Sequence, residues 1–67
     1  MENDWVLIYS ASKAYEAEIL KEVLDDNNIV CVIINKQDSS YQFGEVEVYV
    51  QKQNEVKAIE ISKNFKA

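Results

Sequence analysis

The side chains that could move protons, attack a bond or hold a metal are few in this chain, and they are scattered. Histidine is absent from the 67 residues and cysteine occurs once, at Cys31. Without histidine the usual Ser-His and Cys-His hydrolytic arrangements cannot be built, so Ser10, Ser12, Ser39 and Ser40 lack that activating base. A single thiol cannot form an intrachain disulfide, a CxxC redox pair or a thiolate metal cluster. The neighbours of Cys31, Val30 and Val32, offer no positive charge to lower its pKa, so it reads as a small buried hydrophobe. Glu22, Asp25 and Asp26 crowd the C-terminal end of a periodic segment, where a helix dipole disfavours each anion by about 0.3–1 kcal/mol. A calcium site wants about six to eight oxygen ligands arranged by a loop, and none accompanies them, so they read as a solvated acidic face. No two carboxylates or tyrosines are spaced so as to force contact. These residues predict a protein that is not an enzyme and that carries no cofactor and no metal.

The aromatic residues are the better candidates for function. Trp5, Tyr9 and Tyr49 fall on segments with strand periodicity and can form a flat platform together with Leu7. Such a platform can stack nucleic-acid bases, seat a partner or subunit, or simply be the partly exposed edge of a core. Tyr41 and Phe43 lie in the hydrophilic stretch from Asp38 to Gly44. Phe43 can fold over the sheet end as a lid, and Tyr41 is then the residue left to touch a ligand or second subunit.

Placing these residues requires the elements that carry them. Trp5 to Ser10 alternates Trp5, Leu7 and Tyr9 with Val6, Ile8 and Ser10, which predicts a strand. Ser12 can cap a following helix from Lys13 to about Asn27, where Ala17, Leu20 and Leu24 form one apolar stripe. Asn27 and Asn28 mark its end, since asparagine tolerates the left-handed conformation that closes helices. Ile29 to Asn35 is apolar at nearly every position and predicts the most buried strand. Lys36 to Gly44 is a loop with the one glycine of the chain. Glu45 to Gln51 alternates Val46, Val48 and Val50 with Glu45, Glu47 and Tyr49, a strand with one wet face. Asn54 can cap a second helix built on Ala58, Ile61 and Phe65.

The expected order is therefore β-α-β-β-α in one domain spanning residues 1–67. Two right-handed crossovers put both helices on one face of a three-stranded antiparallel sheet in order 1-3-2, an α+β two-layer sandwich. Ala17 and Ala58 are small enough to let each helix approach the sheet closely. With the valines of the third strand turned inward, Trp5, Leu7, Tyr9 and Tyr49 are expected on the opposite face, beside part of the second strand. Nothing in the chain is left to cover that face or to supply a fourth strand, so the first strand is expected to keep a free edge. A chain this short buries only roughly 60% of its unfolded surface, and self-association would help it.

Charge narrows the partners. Twelve acidic and seven basic residues give a net charge of −5. Such a field repels phosphate backbones, and every basic residue is a lysine, so the bidentate arginine fork is missing; nucleic acid is not expected. Lys63 and Lys66 suit the end of a helix dipole. Met1 to Asp4 is acidic where a signal peptide is basic, and no apolar run reaches the roughly 18 residues of a membrane span. With its lone cysteine the protein is expected to be cytoplasmic, with no membrane partner.

Several residues together resemble the DUF2007 family of small prokaryotic signal-transducing proteins: Trp5-Val6 with Tyr9, the helix core Glu16-Ala17-Glu18-Ile19-Leu20 with Leu24, the strand Ile29 to Asn35, and Val46 to Val50 leading to Ala58. The likeness covers about residues 5–61 and is distributed rather than a sharp motif. It implies a ferredoxin-like βαββα fold akin to the PII signalling proteins and a regulatory or binding role, with no catalytic residue to carry over. Asn28 stands where that family commonly has glycine, and the zinc ribbon of some relatives has no counterpart. The expected function is a non-enzymatic regulatory, signal-transducing or protein-interaction module that forms a homo-oligomer or binds an unidentified protein. The alternative is a small-ligand sensor of a metabolite or nucleotide, closed by the Lys36 to Gly44 loop.

Overall fold

The computed structural model describes residues 4–37 and 44–65. The elements are β1 (Trp5–Ala11), α1 (Ala14–Asp26), β2 (Cys31–Asn35), β3 (Val46–Gln51), a 3-10 turn (Lys52–Asn54) and α2 (Glu55–Asn64). Both β1 and β2 pair antiparallel with β3, giving the order β1-β3-β2. This is the ferredoxin-like βαββα sandwich, with both helices on the face of β3 that carries Val46, Val48 and Val50. Those valines are buried together with Leu20, Leu24, Ile29 and Cys31. Ala17 and Ala58 have no exposed surface, because a larger side chain at either would hold its helix off the sheet. Burying a leucine such as Leu20 contributes roughly 1.5–3 kcal/mol, so this inner face holds the fold together.

The end of α1 follows from its sequence. Ile29 N–H donates to the Leu24 carbonyl at 2.9 Å and Asn28 N–H to that of Asp25 at 3.0 Å, the paired bonds of a Schellman motif. Asn28 takes the left-handed position at φ 63°, and Ile29 closes the motif by packing into the same core as Leu24. The start of α1 differs from expectation. Its N-cap is Lys13 with no side-chain cap, and Ser12 lies one residue outside. The Ser12 carbonyl instead accepts the Gln37 amide at 2.6 Å, tying the end of β2 to the β1–α1 turn. Asn54 stands at the N-cap of α2 but also makes no side-chain cap bond. The chain reaches it from a 3-10 turn at φ −103°, ψ 5°, not from the extended conformation that aims a capping oxygen at the next amides.

The second strand is also corrected. It begins at Cys31, and at the edge that the expected order 1-3-2 assigns to it Val32, Ile33 and Ile34 are only half-buried, so β3 and not β2 is the most buried strand. A continuous apolar run reads alike for a central strand and for an edge strand whose outer face is itself apolar. Gly44 lies at φ 100°, and a Cβ there would stand 2.6 Å from the Lys36 carbonyl oxygen. The only glycine thus sits where the chain turns back beside Lys36, whose N–H donates to the Glu45 carbonyl at 3.0 Å.

Tyr9 is the largest departure. The β1–β3 register runs Val6↔Val50 and Leu7↔Tyr49, then skips Ile8 to resume at Tyr9↔Val48. This bulge inserts one residue and inverts the alternation beyond it. Tyr9 therefore shares the helix-covered face with Val48 and packs edge-on against Phe65, with centroids 5.6 Å apart at 86°. Ile8 packs against the same core, and Ala11 is buried opposite Val46.

Candidate interaction surface

The face of the sheet turned away from the helices is assembled by register. Leu7, Tyr49 and Val32 line up across β1, β3 and β2 as one row. Trp5 opposite Gln51 borders this row on one side, and Ser10, Glu47 and Ile34 border it on the other. Leu7 is 46% exposed, whereas Trp5, Tyr49, Val32 and Ile34 are half-buried. Three strands of alternating residues thus give a patch that is apolar and aromatic in the middle and polar at one end.

The polar end is organised around one oxygen. Glu47 Oε1 accepts the Tyr49 hydroxyl at 2.8 Å and pairs with Lys36 Nζ at 3.1 Å. Residues two apart on a strand share a face, which brings Glu47 and Tyr49 together. The Tyr49 hydroxyl and then the Lys36 ammonium stabilise the Glu47 carboxylate and hold its pKa below the usual range. The same bonds raise Tyr49, through its donation to Glu47, and Lys36, through its pairing with Glu47. A tyrosine or lysine acting as base near neutral pH needs a shift the other way, so the cluster is better suited to orienting the Tyr49 ring than to proton transfer. Nearby, Ser10 Oγ donates to Glu45 Oε2 at 2.8 Å.

Of the residues singled out from sequence, Trp5, Leu7 and Tyr49 are brought together on this face and Tyr9 is not. Tyr41 and Phe43 lie outside the described residues. Val32, Ile34, Lys36 and Glu47 complete the patch; alternation places Glu47 on the outer face with Tyr49, whereas of the second strand only an unspecified part is expected there. Counting register across the hairpin from Tyr49 would have pointed to Val32. Cys31 is buried on the helix side, and burial, followed by the Asp25 charge, pushes its thiol pKa up, away from reactivity. Glu22, Asp25 and Asp26 are exposed, with Asp25 3.2 Å from Lys21 Nζ. Among the described residues no cluster of three or more His, Cys, Asp or Glu is placed to hold a metal, and no helix is long and apolar enough to cross a membrane. An open groove of about 510 Å³ between the end of α1 and α2 is lined by Asn27, Val56, Lys57, Glu60 and Ile61.

The fold and this face define a small α+β sandwich in which, among the described residues, one sheet surface is left outside the core. The chain belongs to the DUF2007 family, described as "Putative prokaryotic signal transducing protein", whose family model matches residues 5–66. No curated protein and no solved structure matches the chain.

Proposed function

We propose that this protein is a non-enzymatic regulatory module that relays a signal by docking a protein partner on the bare face of its sheet. The observation that carries this reading is the row Leu7–Tyr49–Val32, with Trp5 beside it, standing opposite both helices. Contiguous exposed apolar area of this kind marks contact surfaces, and fixed aromatic rings are common anchors of binding energy. The family description is in keeping with a signalling role. A net charge of −5 and the carboxylates of Glu45 and Glu47 at one end of the patch favour a partner with an apolar centre and a basic rim over a nucleic acid. The single buried thiol is in keeping with a reducing compartment such as the cytoplasm.

The test is a purified partner identified by cross-linking in the native cell and then titrated in vitro. Leu7→Lys or Trp5→Ala should weaken binding by at least about tenfold, the size of a hot-spot loss. Val56→Lys on the helix side should leave it unchanged. A partner indifferent to all changes on the bare face would defeat the proposal. A metabolite that raises the melting midpoint without involving that face would support a sensor instead.

A further inference from the structure

We infer that two copies of this chain pair through the free edge of β2, in an antiparallel register centred on Ile33. The inference does not depend on the docking role of the sheet face. The Lys36 N–H to Glu45 carbonyl bond sets the hydrogen-bonding phase of the β2–β3 ladder. In an antiparallel ladder main-chain groups alternate in direction, so those of Val32 and Ile34 point to β3 and those of Cys31, Ile33 and Asn35 point to the open edge. Among the described residues no strand pairs with them.

The two edges of the sheet are treated differently. β1 is interrupted by the bulge at Ile8, one of the devices by which proteins blunt an edge. β2 has no proline, no charge and no bulge over its five residues, Cys31-Val32-Ile33-Ile34-Asn35. An apolar edge without protection is one that a second strand can occupy.

Charge and symmetry select a second copy as that strand. Two chains of net charge −5 repel each other over most of their surfaces, but this strand is uncharged and is followed by Lys36. A two-fold axis at Ile33 sets Ile33 against Ile33 of the second copy and Cys31 against its Asn35, so every outward donor meets an outward acceptor. Side-chain phase is kept as well: Val32 falls opposite Ile34 of the second copy on the bare face. Val30, 63% exposed in the single chain, then lies against the methylene stem of Lys36 of the second copy. The seam is short and belongs to the small end of specific interfaces, so micromolar dissociation is expected.

Sedimentation of the wild-type chain from low micromolar to near-millimolar concentration should show the mass rising from one chain to two. In a Cys31→Ala background, an equimolar mixture of Val32→Cys and Ile34→Cys should oxidise to a covalent dimer. Each variant alone should form no covalent dimer, because like positions sit two residues out of step, about 7 Å along the strand in addition to the strand spacing. Leu7→Lys, on the distant part of the bare face, should leave the mass change in place. A single-chain mass at every concentration would overturn the inference. So would a dimer whose mixed variants do not cross-link in preference to each alone, or one that Leu7→Lys abolishes, which would mean packing face to face.

Discussion

Within β3 alone the two faces of the sheet meet opposite fates. Val46, Val48 and Val50 vanish beneath the helices, while Glu47, Tyr49 and Gln51, alternating with them, remain half-exposed. The inner face is apolar because the fold requires it. The outer face has no such requirement, yet Trp5, Leu7, Val32 and Ile34 gather there around Tyr49. Stability therefore resides on one side of the sheet, and the apolar content of the other side is available for contact with something outside the chain.

The strongest way to break this contrast is to disturb the inner face. Leu20→Ala should destabilise by roughly 2–5 kcal/mol, read from the urea midpoint, because the cavity adds to the lost transfer energy. A small domain has only about 5–15 kcal/mol in total. Gly44→Ala should come next, at roughly 1–3 kcal/mol in the same assay, since it combines a positive φ with a methyl group against the Lys36 carbonyl. Deleting Ile8 should cost about 1–2 kcal/mol of partial burial while keeping Tyr9 opposite Val48, because the pairing on either side of the bulge is already in phase. Loss of the Tyr9–Phe65 ring contact in the amide and aromatic NMR spectra of that variant would contradict the register. On the outer face, Leu7→Gln should change the urea midpoint by no more than about 0.5 kcal/mol.

The smallest effect is electrostatic. The Glu47 carboxyl is depressed, so its contribution to stability is full above the ordinary carboxylate range and fades as pH falls through its lowered value. Tyr49 and Lys36 are raised, so theirs is full below their ordinary values and fades as pH rises through the raised ones, above about pH 10. The melting midpoint should form a plateau between these limits, and Glu47→Gln should flatten both shoulders. Because the groups face solvent, the change is small and weakens with salt. An unaltered profile in Glu47→Gln would show that the cluster does not couple to folding.

Much of the fold could be read from short-range pattern. The valine alternation of β3, the stripe of Ala17, Leu20 and Leu24, and the left-handed Asn28 are each set by neighbours within a turn or a few residues. Part of the candidate face was equally legible, since Trp5, Leu7 and Tyr49 keep the phase that alternation assigns them. Tyr9 escaped it because a bulge is a property of two strands together. Opposite Val48 there is room for Ile8 and Tyr9 both to reach the core, and the waiting partner, Phe65, lies at the far end of the chain. Ser12 and Asn54 failed as side-chain caps for a related reason: the entry direction into each helix depends on the preceding segment and what it is tied to.

Element order, the inward valines and the helix end at Asn28 were determined by the amino-acid sequence, because periodicity and backbone preference act over a few neighbouring residues. How deeply each strand is buried, which side Tyr9 takes and which residues meet Tyr49 were decided only by the tertiary structure. Register joins residues distant in the chain, and one inserted residue is enough to exchange the two faces of a strand.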